Sequence, residues 1–467
     1  MMKQPKPNNT VFMPVAFPEK RVLEIWQGSL QSRTDLVTEE NEPIEIIYPG
    51  RLNDDRGADL RDAVIAMRQG WLKGDVEIHV KSSSWRTHGH HQDPAYNRVI
   101  LHVVYWDDAE KAIVLQNGFK VPTLALHSYF GTPADRDIPP VHSSAIPVMP
   151  CRNAVHRSNI SLTGRILEEA GEKRFLSGVA RFQEAIAQSG AGQALYRGIM
   201  TALGYSRNKD AMAELSKRMP LPRLEAAASA GTPESECLAQ YQARLIGMAG
   251  LLPSQHGMVP RTARPADEWA ARLEKTWTAG GEKSVMSAND WRFFKVRPGN
   301  YPVRRLAAMS YLLLRYRKEG LLAGLKGILQ EAAAGNAGHS LELSLLVNPD
   351  SFWGRYLDFD TPAGGVIPAL LGRERAADIV VNVLLPFAAA AGFANPPSEL
   401  PQKALGIYRE YRAPAENTLV RHMRKQLVIG RYFINSARRQ QGLIHIYKTR
   451  CSQGKCDACP LGELSEG

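Results

Sequence analysis

Residues 74–81 read Gly-Asp-Val-Glu-Ile-His-Val-Lys. Asp75, Glu77, His79 and Lys81 alternate with Val76, Ile78 and Val80. An extended strand has a side-chain period of two, so the four ionisable groups share one face and the three β-branched residues share the other. Two acids, an imidazole and an amine in one row suit a metal or phosphate site. A further acid, Asp59, precedes them in Gly57-Ala58-Asp59-Leu60. Hard cations such as Mg²⁺ take carboxylate oxygens and keep several waters. A metal so held polarises a phosphate and activates water, and a nearby amine stabilises the developing charge.

The spacing sets limits on that chemistry. Glu77 and Lys81 lie roughly 13 Å apart along an extended strand, from its rise per residue. One metal site does not use both directly, and His79 stands between them. Imidazole favours Mn²⁺, Fe²⁺ or Zn²⁺ over Mg²⁺. His79, His88, His90, His91 and His102 cluster in the sequence, with Asp93 among them. A His/carboxylate site with an open position supports hydrolysis or oxygen chemistry. Of the five, His79 and His88 are the best candidate ligands. His102 sits in the apolar run Val-Ile-Leu-His-Val-Val-Tyr-Trp and reads as a hydrogen-bonded core residue. Asp75 follows Gly74 and reads as a turn residue.

A second constellation lies near the C-terminus: Cys451, four residues, Cys456, two residues, then Cys459-Pro460. A Cys-x-x-Cys turn brings two thiolates to one metal, and a third thiol nearby fills another corner. Cys151 is the preferred fourth ligand, with His445 as the alternative. Zinc and an iron–sulfur cluster both fit the spacing. The segment before these cysteines is basic: Arg421, Arg424, Lys425, Arg431, Arg438, Arg439, Lys448, Arg450 and Lys455 face only Asp457. Interleaved with Tyr432, Phe433 and Tyr447, it is either a solvated face or a track for a phosphate backbone.

The elements that position these residues follow from periodicity. Residues 19–30 suit a helix. Strands are expected at 44–48, 63–67, 71–81 and 99–106, and a hairpin at 112–126 around Asn117-Gly118. The 99–106 strand is nearly all apolar and should lie inside the sheet. Beyond about residue 155 the period becomes helical. The expected fold class is α+β, with a mixed sheet followed by a mostly helical region and a cysteine motif. The domain bounds are 1–18 as a disordered N-terminus, 19–150 as the sheet domain, 155–440 as the helical domain and 441–467 as the cysteine segment. The most apolar stretch, 376–394, contains Asp378, Asn382 and Pro386 and reads as a buried helix pair rather than a membrane span.

The chain has 467 residues, 44% hydrophobic and 22% charged, with a net charge of +11. That length allows two or three domains. The basic excess points to an acidic partner, of which nucleic acid is the commonest. Five cysteines are too few for a disulfide scaffold of this length. No signal-peptide pattern opens the chain. A cytoplasmic protein with no membrane partner is the expectation.

Several motifs resemble a large, mostly bacterial family catalogued as domain of unknown function 2851. They are Pro43-Ile44-Glu45-Ile46 through Leu52-Asn53, Gly57 to Leu60, Gly74 to Ser83, Trp85, His88-Gly89-His90, Asp93 to Asn97, and Val99 to Val104. Further matches occur at Ala202 to Tyr205, at Arg297-Pro298, at Glu416-Asn417 and at Gln441 to Pro460. The family commonly has Pro-Asp-Phe where this chain has Ala58-Asp59-Leu60, and Asp where it has Ser84. The order of acid, strand, acid-bearing strand with lysine, helix and strand is also similar to the PD-(D/E)xK nuclease superfamily. That similarity implies a restriction-endonuclease-like core and a nuclease on DNA or RNA using Mg²⁺ or Mn²⁺. Asp59, Glu77 and His79 would bind the metal and Lys81 would assist. A nucleic-acid-binding or scaffold protein with a degenerate core is the first alternative. A His/carboxylate metalloenzyme on a small molecule is the second. The cysteine arrangement is similar to the iron–sulfur staple of some helicase-associated nucleases.

Overall fold

The alternation in residues 74–81 is realised in a 12-residue strand that organises everything around the site. The computed structural model describes residues 18–28, 30, 33–109, 111–130, 151, 160–227, 231–256, 265–281, 284–293, 296–331, 336–349, 352–365, 369–393 and 398–462. The N-terminal segment expected to be disordered lies outside these residues, apart from Pro18.

The strands are β1 (Glu45–Tyr48), β2 (Arg51–Leu52), β3 (Leu60–Met67), β4 (Gly70–Lys81), β5 (Val99–Trp106), β6 (Ile113–Val114), β7 (Lys120–Val121) and β8 (Thr123–Ala125). A six-stranded mixed sheet has the order β1-β3-β4-β5-β8, with β2 beside β3. β1, β2 and β4 run antiparallel to β3, whereas β5 is parallel to β4 and β8 parallel to β5. β5 is thus interior, as its apolar run requires.

Two departures from the sequence expectation have local causes. β3 begins at Leu60 rather than residue 63, because Leu60 and Arg61 pair with Leu52 and Arg51 of β2 before a bulge between Leu60 and Ala63 shifts the register with β4. Asp62 sits in that bulge with φ of 62°. The expected strand over 121–126 is split at Pro122, which has no N–H to give to a ladder. β7 pairs with β6 across the Asn117-Gly118 turn, and β8 joins the main sheet.

The β-branched face of β4 meets the helix Glu19–Gly28. Val76, Ile78, Leu101, Val103 and Tyr105 pack with Val22, Ile25 and Trp26 in one buried cluster. The Trp26 indole donates to the Pro49 carbonyl at 3.0 Å. The opposite face of the sheet is covered by the segment between β4 and β5 and by the β6–β7 hairpin, where Ala58, Trp85, Val99, Ile113, Leu115 and Val121 form a smaller cluster.

The chain forms two compact units. The first contains the sheet together with residues 418–433 and 443–467. The second spans Leu167–Asn417 and Ile434–Gly442 and is built from helices around a large apolar core that includes Leu195, Tyr196, Ile199, Leu306, Met309 and Leu385. One helix there, Arg373–Gly392, is long and apolar enough by length and composition to cross a membrane, yet 78% of its apolar window is buried within the protein. It is one helix rather than the expected pair. Pro386 removes the N–H that would bond to residue 382, and the helix widens into a π turn over Val380–Leu384 instead of breaking.

Candidate metal centre

Glu77 and His79 leave the outer face of β4 in the middle of the sheet and are almost fully buried, with relative exposures of 5% and 2%. β5 brings His102 level with Glu77 in the strand register. The loop after β4 folds back over this face. It makes the short helix Ser84–Thr87 and two 3₁₀ turns, His90–Gln92 and Pro94–Tyr96. Gly89 has φ of 74° and separates His88 from His90. That left-handed step, cheap only for glycine, turns both imidazoles towards His79.

The distances define one cluster. The ligand atoms of His79, His88 and His90 all lie within 4.8 Å of one another. His79 Nε2 is 3.1 Å from His88 Nδ1 and 3.5 Å from Glu77 Oε1. His90 Nε2 is 3.1 Å from the same Glu77 oxygen. His79 Nδ1 is 2.8 Å from His102 Nε2. Asp59 closes the arrangement from β3: its N–H donates to Glu77 Oε2, and its own Oδ2 accepts from the Ile78 N–H, both at 3.0 Å. Aromatic walls fix the rings. His90 stacks on Tyr96 with centroids 3.9 Å apart, and Trp85 meets both His90 and His102 edge-on or tilted.

Burial shapes the charges. It pushes Glu77 up to about 8, aided by the charge of Glu19 and opposed by the Asp59 N–H. Asp59 is exposed as a residue, but its inward-turned carboxyl is partly desolvated, and this together with Glu77 raises it to about 7. Burial lowers His79 to about 2 and His102 to about 3, and lowers His90 as well. The buried imidazoles are therefore neutral, each with a lone pair to offer. Three imidazoles and the Glu77 carboxyl converge, and with that carboxyl ionised the donor set fits a first-row transition ion. An ion held at His79 Nε2 would leave the proton on Nδ1, from which it would donate to His102 Nε2, 2.8 Å away.

The structure brings Asp59, Glu77, His79 and His88 together and adds His90, one of the five clustered histidines but not one of the two preferred. His-Gly-His was the available signal. Glu19, at the start of the first helix, lies within electrostatic reach of Asp59, Glu77 and His90. Nothing in its local sequence announces that. Lys81 shares the face of β4 but not the cluster; its ion-pair partner is Asp108 at 3.9 Å. His102 is a buried, hydrogen-bonded core residue, its partner being His79. Asp75 is not a turn residue: it is buried within β4, accepting from the Asp62 N–H at 3.2 Å.

The C-terminal cysteines also converge. Cys151, Cys451, Cys456 and Cys459 line one hollow with Gln426 and Arg450, and His445 is not among its lining residues. None of them forms a disulfide. The basic stretch before them is not one free face. Arg438 and Arg439 are tied to Glu168 and Glu172 at 2.7–2.9 Å, acids far away in sequence.

An α+β protein with a buried His/carboxylate cluster on a mixed sheet is the class that fold and site define. The family model described as a protein of unknown function (DUF2851) matches residues 19–417, and the chain belongs to that family. The match includes the whole histidine cluster and ends before Cys451, so it is shorter than the near-complete resemblance read from the motifs. No curated protein matches the chain, and no solved structure does. The comparisons give no support to the PD-(D/E)xK similarity.

Proposed function

We propose that this protein is a metal-dependent hydrolase of nucleic-acid phosphodiesters. Its metal is held by His79, His88, His90 and the carboxylate of Glu77. One observation carries the reading: three imidazole ligand atoms within 4.8 Å of one another, beside a buried carboxylate 3.1 Å from His90. Of the two cations that carboxylate chemistry suggests, Mg²⁺ and Mn²⁺, the imidazoles favour Mn²⁺. Such an ion, when bound, polarises a phosphodiester and lowers the pKa of a coordinated water.

The protein's own groups do the rest. His102 fixes the ring of His79. The Asp59 N–H holds Glu77 Oε2, which leaves Oε1 directed at the histidines. His88, the exposed member of the cluster, marks the side open to solvent. Lys81 is outside this chemistry. The net charge of +11 supports a polyanionic substrate.

The test is cleavage of plasmid DNA and of single-stranded RNA by the full chain with Mn²⁺, Mg²⁺ or chelator. Cleavage is expected with Mn²⁺, is lost in His79→Ala and Glu77→Gln, and persists in Lys81→Ala. Mn²⁺ binding with no cleavage of either polymer would sink the hydrolase. The deep burial of Glu77 and His79 favours that outcome as the second reading: a structural metal in a protein that binds nucleic acid without cutting it.

A further inference from the structure

The hollow near the C-terminus shares no lining residue with the histidine cluster. Cys151 reaches it from the end of the sheet region; Cys451, Cys456 and Cys459 reach it from the tail. Cys151, Cys451 and Cys459 are buried and Cys456 is partly so. Four thiols gathered at one place without a disulfide are a ligand set, and the question is for what.

Spacing decides between a single ion and a cluster. A tetrahedral Zn²⁺ with bonds of about 2.3 Å holds its sulfurs about 3.8 Å apart. Among the described residues, His79, His88 and His90 are the one set of three or more His, Cys, Asp or Glu ligand atoms all within 4.8 Å of one another. No three of the four sulfurs are that close. The space between them also admits a water-sized sphere, which a single-ion tetrahedron of thiolates leaves no room for. A cubane of iron and sulfide needs both features. Each thiolate binds a different iron, so the sulfurs stand farther apart around an inorganic core.

The remaining lining suits the same guest. Gln426 is 1% exposed, and its amide donates towards Cys151 Sγ at 3.5 Å and Cys451 Sγ at 3.8 Å. N–H donors to sulfur stabilise thiolate ligands and tune such clusters. Arg450, also part of the lining, offsets the negative charge that four thiolates bring. The geometry points to a four-cysteine iron–sulfur cluster held by Cys151, Cys451, Cys456 and Cys459. It clasps the tail to the sheet, where Tyr447 already donates to Asp62 at 2.8 Å and Lys73 to Gln453 at 3.0 Å.

The experiment is anaerobic purification of the full chain from iron-replete cells, with iron, sulfide and zinc measured on the same sample. About four irons and four acid-labile sulfides per chain are expected for a cubane, with a broad visible absorption that bleaches on reduction by dithionite. Cys456→Ser should lose iron, sulfide and colour together, while Cys237→Ser, in a helix of the other unit, should keep all three. Should Cys456→Ser not fold, the wild-type stoichiometry decides alone. One zinc per chain without sulfide, or no metal after anaerobic purification, overturns the cluster. Neither result bears on the histidine site, because neither substitution touches it.

Discussion

His90 Nε2 stands 3.1 Å from Glu77 Oε1, yet no hydrogen bond joins them. Two buried polar atoms at that distance normally align. The same Glu77 oxygen is 3.5 Å from His79 Nε2, beside the His79–His88–His90 group. That is the arrangement expected of ligands to a common ion.

Glu77→Gln therefore tests the ion directly. The amide keeps the size of the side chain and one oxygen but removes the charge. Loss of an outer-sphere partner commonly costs about 10- to 100-fold in metal affinity, so loss of a charged ligand should cost at least about 100-fold. Titration calorimetry with Mn²⁺ on wild type and variant measures it. Equal affinities would mean that the ion binds elsewhere.

His102 makes a different prediction. Its Nε2 faces His79, and its Nδ1 is buried with no hydrogen-bond partner in the structure. An orphaned buried polar atom costs stability, and an apolar replacement of similar shape removes that cost. His102→Leu removes that orphan but leaves the buried His79 Nδ1 without its partner, so the metal-free melting temperature should fall slightly while Mn²⁺ affinity falls about 10- to 100-fold. A residue that served only as packing would show no change in affinity.

The burial of these groups sets a pH dependence for the metal-free protein. Glu77 has a folded value of about 8, above its ordinary 4.5, so the folded state holds that proton more tightly. Its contribution is present below the ordinary value and is lost as pH rises towards 8. Asp59 acts in the same direction up to about 7. His79 and His102 are lowered from 6.5 to about 2 and 3, so their penalty appears as pH falls below 6.5. The opposing trends place maximal stability near pH 6 and make it decline from there to pH 8. A bound cation replaces the proton on Glu77 and should abolish the alkaline decline. Thermal melts at pH 6 and pH 8, with chelator and with Mn²⁺, read both effects. A metal-free melting temperature that climbs between those two values would contradict the burial of Glu77.

The strand period made half of the site legible. Because successive side chains alternate, Glu77 and His79 had to share a face and Val76 and Ile78 had to share the other. Asp59 was legible as an acid but not as the partner whose N–H locks Glu77, since the bulge at Asp62 sets that approach. His90 was harder, because its convergence depends on the left-handed Gly89 and on stacking with Tyr96, both products of tertiary packing. Lys81 misled for the opposite reason: alternation places it on the right face but cannot say that it turns to Asp108. Cys151 could be chosen because few cysteines were available. The basic run before the tail could not be resolved by counting along the chain. The acids that pair with Arg438 and Arg439 lie on a helix more than 260 residues earlier in sequence.

The two faces of β4 give the last prediction. Ile78 is 2% exposed and packs beneath the helix Glu19–Gly28, while its neighbours Glu77 and His79 point the other way. Its side chain has no part in the metal centre; only its backbone N–H does, by donating to Asp59 Oδ2. Ile78→Ala should thus cost about 2–5 kcal/mol of stability through the cavity it leaves. At a temperature where the variant is fully folded, Mn²⁺ affinity should stay within about twofold of wild type, as expected for sites with no shared side-chain partner. Urea denaturation and calorimetry on one preparation measure both quantities. A large loss of affinity at intact fold would mean that the helix side and the metal side of the sheet are coupled through the backbone of β4. The Asp59–Ile78 hydrogen bond would then be the first link to test.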